Sequence, residues 1–305
     1  MRNRTSTAAW PGGVPSRSSG RGNFPTWKIR SVFASGVTAL TLAIGLVAWP
    51  GSAPASAIEA GLGLEGENTN SVVQVLKGGE GQCTGNVMGP DLVLTATHCL
   101  SGGPVSSLTI LSGSQHRGQG TRHEVSEVDR RGDLLLLRVE TNAPIEMAGD
   151  QYFEIAQNEP LTVGRYLFSY GFGRTCSSCP LAEKLRATQP AVASVKSTIR
   201  DREDGLGYKV KPPWGARLWP GDSGGPSFYK AGNKRVLFGI ASRGKVDLTG
   251  DEIQWAVMSA TYDYPDCGFD GQPLCVHQWL IGNGVKEYVP ARVHDEFKRD
   301  IYVGT

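Results

Sequence analysis

Beyond residue 58 the chain is a succession of short apolar runs cut by Gly, Pro, Asn and Asp. The runs are Val72 to Leu76, Leu92 to Thr95, Leu108 to Leu111, Leu134 to Val139, Tyr166 to Tyr170, Val236 to Ala241 and Ile253 to Met258. Short strands at close intervals, with turn residues between them, predict an all-β sandwich or barrel rather than helices layered on a sheet. Only Pro290 to Ile301 has a helical period, with Val293, Phe297 and Ile301 on one face. Residues 262–290 read as an insertion or a long closing segment. The last strand begins either at Trp255-Ala256-Val257 or at Tyr288-Val289-Pro290.

The first 57 residues follow a different pattern. They carry Arg2, Arg4, Arg17, Arg21, Lys28 and Arg30 and no acidic residue, then an apolar stretch from Val32 to Trp49, then Ala55-Ser56-Ala57. A basic region, an apolar core and small residues at an A-x-A end predict a secretory signal cleaved after Ala57. An uncleaved anchor is the competing reading, because the apolar stretch approaches spanning length. Cleavage would leave residues 58–305 and remove six basic groups, so the formal charge of +2 would become net acidic. No basic patch interleaved with aromatics points to nucleic acid. No second apolar run is long enough to span a membrane, so a secreted monomer is expected.

Six cysteines suit an oxidising compartment. Cys267 and Cys275 enclose a short Gly- and Pro-containing loop and form a natural local pair. Cys176 and Cys179 read as a small-loop disulfide, although in a reducing compartment C-S-S-C would suggest redox or metal chemistry. Fifteen pairings are formally open.

Candidate chemistry centres on Gly221-Asp222-Ser223-Gly224-Gly225-Pro226. A serine hydroxyl needs a base and an exposed backbone position to act as a nucleophile. The flanking glycines permit such a shape, and the N–H groups of Gly221 and Ser223 could hold an oxyanion. Among five histidines, His98 has the informative setting: Leu92-Val93-Leu94-Thr95-Ala96-Thr97-His98-Cys99 reads as a strand delivering an imidazole to a rim. Asp133 abuts Leu134-Leu135-Leu136-Leu137 and is the candidate acid, with Asp129 as its competitor among exposed charges. A carboxylate at the mouth of a buried strand can orient an imidazole.

Thr95 to Cys99, Asp133 to Leu137 and Gly221 to Pro226 resemble, in order and spacing, the active-site blocks of the chymotrypsin/trypsin-like serine proteases. The resemblance covers residue 58 to the C-terminus. It implies two six-stranded antiparallel Greek-key barrels with a C-terminal helix. The first would span about 58–158 and the second about 159–305, crossing near Asn158 to Leu161. His98 and Asp133 would come from the first barrel and Ser223 from the second. The resemblance also implies a Cys83–Cys99 bridge, and a start residue Ile58 whose free amine pairs with Asp222.

Substrate contacts are implied in the same way. Ser242 and Gly244 would offer backbone hydrogen bonds to a peptide, and Arg217 stands at the floor of the specificity pocket. An aspartate at that floor would favour Arg or Lys in the substrate, so Arg217 argues against such cleavage. Arg217, Arg243 and Lys245 together could favour an acidic side chain. Arg243 stands where the family carries an aromatic residue. Trp219 stands where it usually carries a cysteine, which removes a common bridge beside the pocket.

The sequence therefore reads as a secreted serine endopeptidase that needs no metal or cofactor. One alternative is an α/β-hydrolase, because G-x-S-x-G is also satisfied; Asp263 or Asp266 and His277 or His294 would then serve. Another is a catalytically silent binding module on the protease fold.

Overall fold

The computed structural model describes residues 63–64, 67–147, 151–157, 161–176, 178–212, 216–244, 256–263 and 275–290. The leader, Ile58, Lys245, Asp266, Cys267, His294 and the predicted helix beyond Pro290 lie outside the described residues. Among those described, no helix is long and apolar enough to cross a membrane.

Six antiparallel strands form the first barrel: β1 (Val72–Lys77), β2 (Glu80–Gly89), β3 (Leu92–Ala96), β4 (Leu108–Ser112), β5 (Thr121–Arg131) and β6 (Leu134–Val139). They close in the order β1-β2-β3-β6-β5-β4. All of β3 and Leu134 to Leu137 of β6 are buried, so neither strand needs polar alternation. Continuous apolar runs are the mark of strands covered on both faces. In β5 only His123 and Val125 are buried, because its other face meets water. Inside the barrel Gly85 has no room for a side chain: a Cβ there would lie 3.0–3.1 Å from Val93, Val73 and Val75.

The second sheet contains β7 (Phe153–Ile155), β8 (Phe168–Gly171), β9 (Arg186–Thr188), β10 (Ala191–Ser194), β11 (Gly207–Lys211), β12 (Pro226–Ala231), β13 (Lys234–Gly244) and β14 (Ala256–Ala260). Its order is β10-β11-β14-β13-β12-β8-β9, with β7 parallel to β13. Pro190 interrupts what would be one strand from β9 to β10, because proline brings no N–H to the ladder. The Tyr166–Ala191 bridge and the Val192 N–H to Arg165 carbonyl bond (2.8 Å) return β10 to the approach of β8. The sheet thus curls back on itself as a second barrel. β7 already belongs to this sheet, before the crossover expected near Asn158.

The predicted architecture is found, with one open choice settled and one element not expected. β14 follows the first of the two candidate starts, at Ala256. Glu287 makes only an isolated bridge to Ile155. A helix, α1 (Val276–Gly282), lies inside the segment read as an insertion. Trp279 and Leu280 of α1 are buried, and the indole N–H of Trp279 donates to Asp129 at 2.8 Å. Asp129 therefore anchors this helix to β5.

Both barrels contribute to one core, in which Phe228 of β12 meets Phe153 and Tyr170 edge-on at 5.2 and 5.1 Å between ring centroids. Cys83 is bonded to Cys99 and Cys176 to Cys179. Cys275 is disulfide-bonded as well; its expected partner, Cys267, is outside the described residues.

Candidate active site

His98 lies in a single 3-10 turn, Thr97–Cys99, directly after β3. The Cys83–Cys99 bond ties that turn to β2. Thr97 fixes it from the other side, donating its hydroxyl to the carbonyls of Gly132 and Leu134, both at 3.0 Å. Those carbonyls flank Asp133, so one threonine sets the distance between the histidine and the aspartate. Asp133 is fully buried in the turn from β5 to β6. Its Oδ1 accepts the His98 main-chain N–H at 3.1 Å. His98 Nδ1 is 2.9 Å from Oδ1 and 2.8 Å from Oδ2.

A ring nitrogen facing two carboxylate oxygens carries the proton, which assigns Nε2 as the acceptor. Nε2 lies 2.8 Å from Ser223 Oγ. The structure thus brings together His98, Asp133 and Ser223, residues scattered across the sequence.

Ser223 sits in a loop clamped to the first barrel. Thr84 of β2 donates its hydroxyl to the Gly221 carbonyl at 2.9 Å, and its N–H donates to the Ser223 carbonyl at 2.8 Å. Asn86 Nδ2 donates to the Gly224 carbonyl at 2.7 Å. Gly221 and Gly224 both take positive φ, +102° and +78°. In this loop the N–H groups of Asp222, Gly224 and Gly225 donate to the carbonyls of Trp219, Ala241 and Asp222. Those of Gly221 and Ser223 have no acceptor among the described residues. They remain available for an oxyanion.

Asp222 points the other way, into the protein. Its carboxylate accepts N–H groups of Gly173 and Trp219, both at 2.8 Å. A Cβ on Gly171 would lie 2.0 Å from Asp222 Oδ1, so the carboxylate rests on bare backbone. Burial pushes its carboxyl up to about 7, against the pull of those two N–H donors. Its expected cation, the Ile58 amine, is outside the described residues.

A cleft of about 490 Å³ opens beside Ser223, lined in part by His98, Trp219, Ser242, Arg243, Gly244 and Arg202. Arg217, expected at the pocket floor, is half-buried and is not among the lining residues. Arg202 lines the cleft and was not read from the sequence. Ser242 and Gly244 lie at the end of β13, past Ile240, the last residue paired with β12. That stretch of β13 therefore has a strand edge open toward the cleft.

The Ser242 side chain has a further part to play. Its hydroxyl donates to Asp133 Oδ2 at 2.5 Å and accepts the Arg202 N–H at 2.9 Å. The sequence reading gave Ser242 only a main-chain role.

Among the described residues, the remaining histidine and acid candidates do not join this site. His123 Nδ1 donates to the Ala143 carbonyl at 2.7 Å and Nε2 meets Ser112 Oγ at 2.8 Å. No carboxylate is part of that pair, and its histidine is buried in β5. Asp263 accepts the main-chain N–H of His277 at 3.2 Å. The His277 ring is 3.2 Å from Glu287, and Ser223 pairs with His98. The Ser-acid-His order of an α/β-hydrolase is therefore not what these residues build.

Two β-barrels with a hydroxyl, an imidazole and a buried carboxylate in line define a class, the two-barrel serine hydrolases. A family-wide sequence model described as Trypsin matches residues 63–263. The chain belongs to this family, the chymotrypsin/trypsin-like serine proteases.

Proposed function

We propose that the protein is a secreted serine endopeptidase whose nucleophile is Ser223. The carrying observation is the continuous contact Ser223 Oγ–His98 Nε2–His98 Nδ1–Asp133, 2.8 Å at each junction. Ser223 Oγ attacks the scissile carbonyl while His98 Nε2 takes its proton, and Asp133 steadies the imidazolium. The carbonyl oxygen becomes an oxyanion facing the N–H groups of Gly221 and Ser223. His98 then returns the proton to the leaving amine, and water repeats the sequence on the acyl-enzyme. The open edge of β13 at Ser242 to Gly244 receives an extended peptide as an added strand.

Residues 1–57 are the leader in this reading, and export past Ala57 exposes Ile58. Its ammonium pairs with Asp222, a buried carboxylate that disfavours its own charge until a cation arrives. A buried disulfide beside His98 and a half-buried one at Cys176–Cys179 fit an oxidising, extracellular setting.

Hydrolysis of an unfolded protein by the chain beginning at Ile58 tests the reading. Ser223→Ala, His98→Ala and Asp133→Ala should each lower turnover by roughly 10³-fold or more. Undiminished hydrolysis by the Ser223 variant would refute it, and inactivity of the unaltered chain would favour the silent binding module.

A further inference from the structure

Asp133 is gripped from behind as well as from the front. Its main-chain N–H donates to Asp201 Oδ2 at 3.0 Å. Asp201 belongs to the second barrel's loop between β10 and β11 and is 5% exposed. Its Oδ1 accepts the N–H groups of Glu203 and Gly205 at 2.9 and 2.7 Å, and its own N–H donates to the Gly205 carbonyl at 2.9 Å. The contact is tight on both sides. A Cβ on Gly205 would lie 2.5 Å from Asp201 Oδ2, and one on Gly132 would lie 2.8 Å from the Gly205 Cα.

A neutral carbonyl would satisfy the Asp133 N–H at a lower desolvation penalty than a buried carboxylate. Burial raises the Asp201 carboxyl, the three N–H donors hold it down, and the nearby Asp133 charge raises it again. The fold thus keeps two carboxylates close together, one behind the other, on the line that leads to His98.

We infer that Asp201 is a positioning residue for Asp133, an inference that rests on the triad reading above. It fixes the Asp133 main chain and places a second negative charge behind the Asp133–His98 pair. That charge favours the imidazolium that forms when Ser223 loses its proton. With Ser242 on the carboxylate and Asp201 on the N–H, the acid of the first barrel is set by the second barrel, which also carries Ser223. Among the described residues, the other charged groups near Asp201 lie on its own loop and on β5 and β13. Arg200, Arg202, Glu203 and Asp204 of its own loop and Arg130 of β5 are exposed. Arg131 acts on Asp263. Arg243 of β13 donates to the Arg200 carbonyl at 2.7 and 3.1 Å.

The test is Asp201→Asn in the chain beginning at Ile58, assayed on a short peptide substrate across pH beside Ser223→Ala. The expected result is a fall in kcat of about tenfold with KM changed less than about twofold, because the acid and not the cleft is disturbed. The acid limb of the kcat/KM profile should move down by about half a pH unit or more, because a charge favouring the imidazolium is lost. Unchanged kcat with an unmoved acid limb would overturn the inference. So would a common fall of melting temperature, kcat and KM performance with the acid limb unmoved, which marks a purely structural group. Wild-type turnover in Ser223→Ala would instead overturn the triad reading, so the two failures are distinguishable. If the Asn variant does not fold, Asp201→Ser keeps a short acceptor without the charge and is judged in the same way. Failure of both to fold would assign Asp201 to stability alone and overturn the inference.

Discussion

Ser242 and Asp133 meet where the two barrels touch, the serine hydroxyl donating to Asp133 Oδ2 at 2.5 Å. A charge-assisted bond to a fully buried carboxylate is worth more than a neutral one. Ser242→Ala would leave Asp133 Oδ2 with the His98 ring as its remaining donor among the described residues. We expect kcat to fall about tenfold to a hundredfold, with KM for a short peptide little changed. Steady-state kinetics would settle it, and a change confined to KM would contradict this role.

Asp222 links pH to stability. Its carboxyl is pushed from 3.8 up to about 7, so within that window the folded chain holds a proton that the unfolded chain has released. Stability from this group is therefore highest in acid, declines as pH rises through the window, and is level above it. Urea unfolding of the leader-bearing Ser223→Ala chain at pH 5 and pH 8 should show that decline. Asp222→Asn should reduce it. On the proposed Ile58–Asp222 pairing, the ammonium of the chain beginning at Ile58 would favour the charged carboxylate, so the decline should be smaller there too. Equal pH dependence in all three would contradict the account. One extra residue before Ile58 should also lower activity markedly.

Gly224 is held at φ +78° against the first barrel. A Cβ there would stand 2.2 Å from Thr95 Oγ1 and 2.3 Å from the Thr84 carbonyl oxygen. Because Thr84 is also the clamp on Gly221 and Ser223, Gly224→Ala should push the whole nucleophile loop out of register. We expect turnover to drop about 100-fold or more, and stability to fall by about 2–4 kcal/mol. Kinetics with thermal unfolding would show both, and a near-normal variant would mean that the loop is not clamped as described.

The cleft carries no acidic side chain among its described lining residues other than Asp222, which is buried. Arg202 and Arg243 line it and are exposed. A peptide-library scan should therefore show no preference for Arg or Lys before the scissile bond. Acidic side chains should be tolerated within the stretch that lies along β13. Strong cleavage after Arg or Lys would contradict this.

Much of the site was legible because its residues sit in short local patterns. The apolar strand before His98, the leucine run after Asp133 and the glycines around Ser223 each announce their own place. Asp129 and Asp133, four positions apart, were separated by the same logic of burial. Asp129 proves to serve Trp279. Asp201 was not legible, because Asp201-Arg202-Glu203-Asp204-Gly205 looks like a solvated charged turn. The N–H groups of Asp133, Glu203 and Gly205 hold that carboxylate inward, and the bare backbone of Gly205 and Gly132 leaves room for it. The Ser242 side chain was missed for a related reason: its partner lies 109 residues away on another barrel. α1 is only seven residues long and lacks a full amphipathic repeat. Its place is fixed by the burial of Trp279 and Leu280 and by the Trp279 bond to Asp129.

The central claim is that Ser223 is a nucleophile activated by His98. Mass spectrometry after exposure to a fluorophosphonate tests it most directly, because the reagent bonds to an activated serine oxygen with loss of fluoride. The account predicts one adduct, on the peptide containing Ser223, absent from Ser223→Ala and strongly reduced in His98→Ala. Labelling at another serine, or at Ser223 with undiminished rate in His98→Ala, would contradict it.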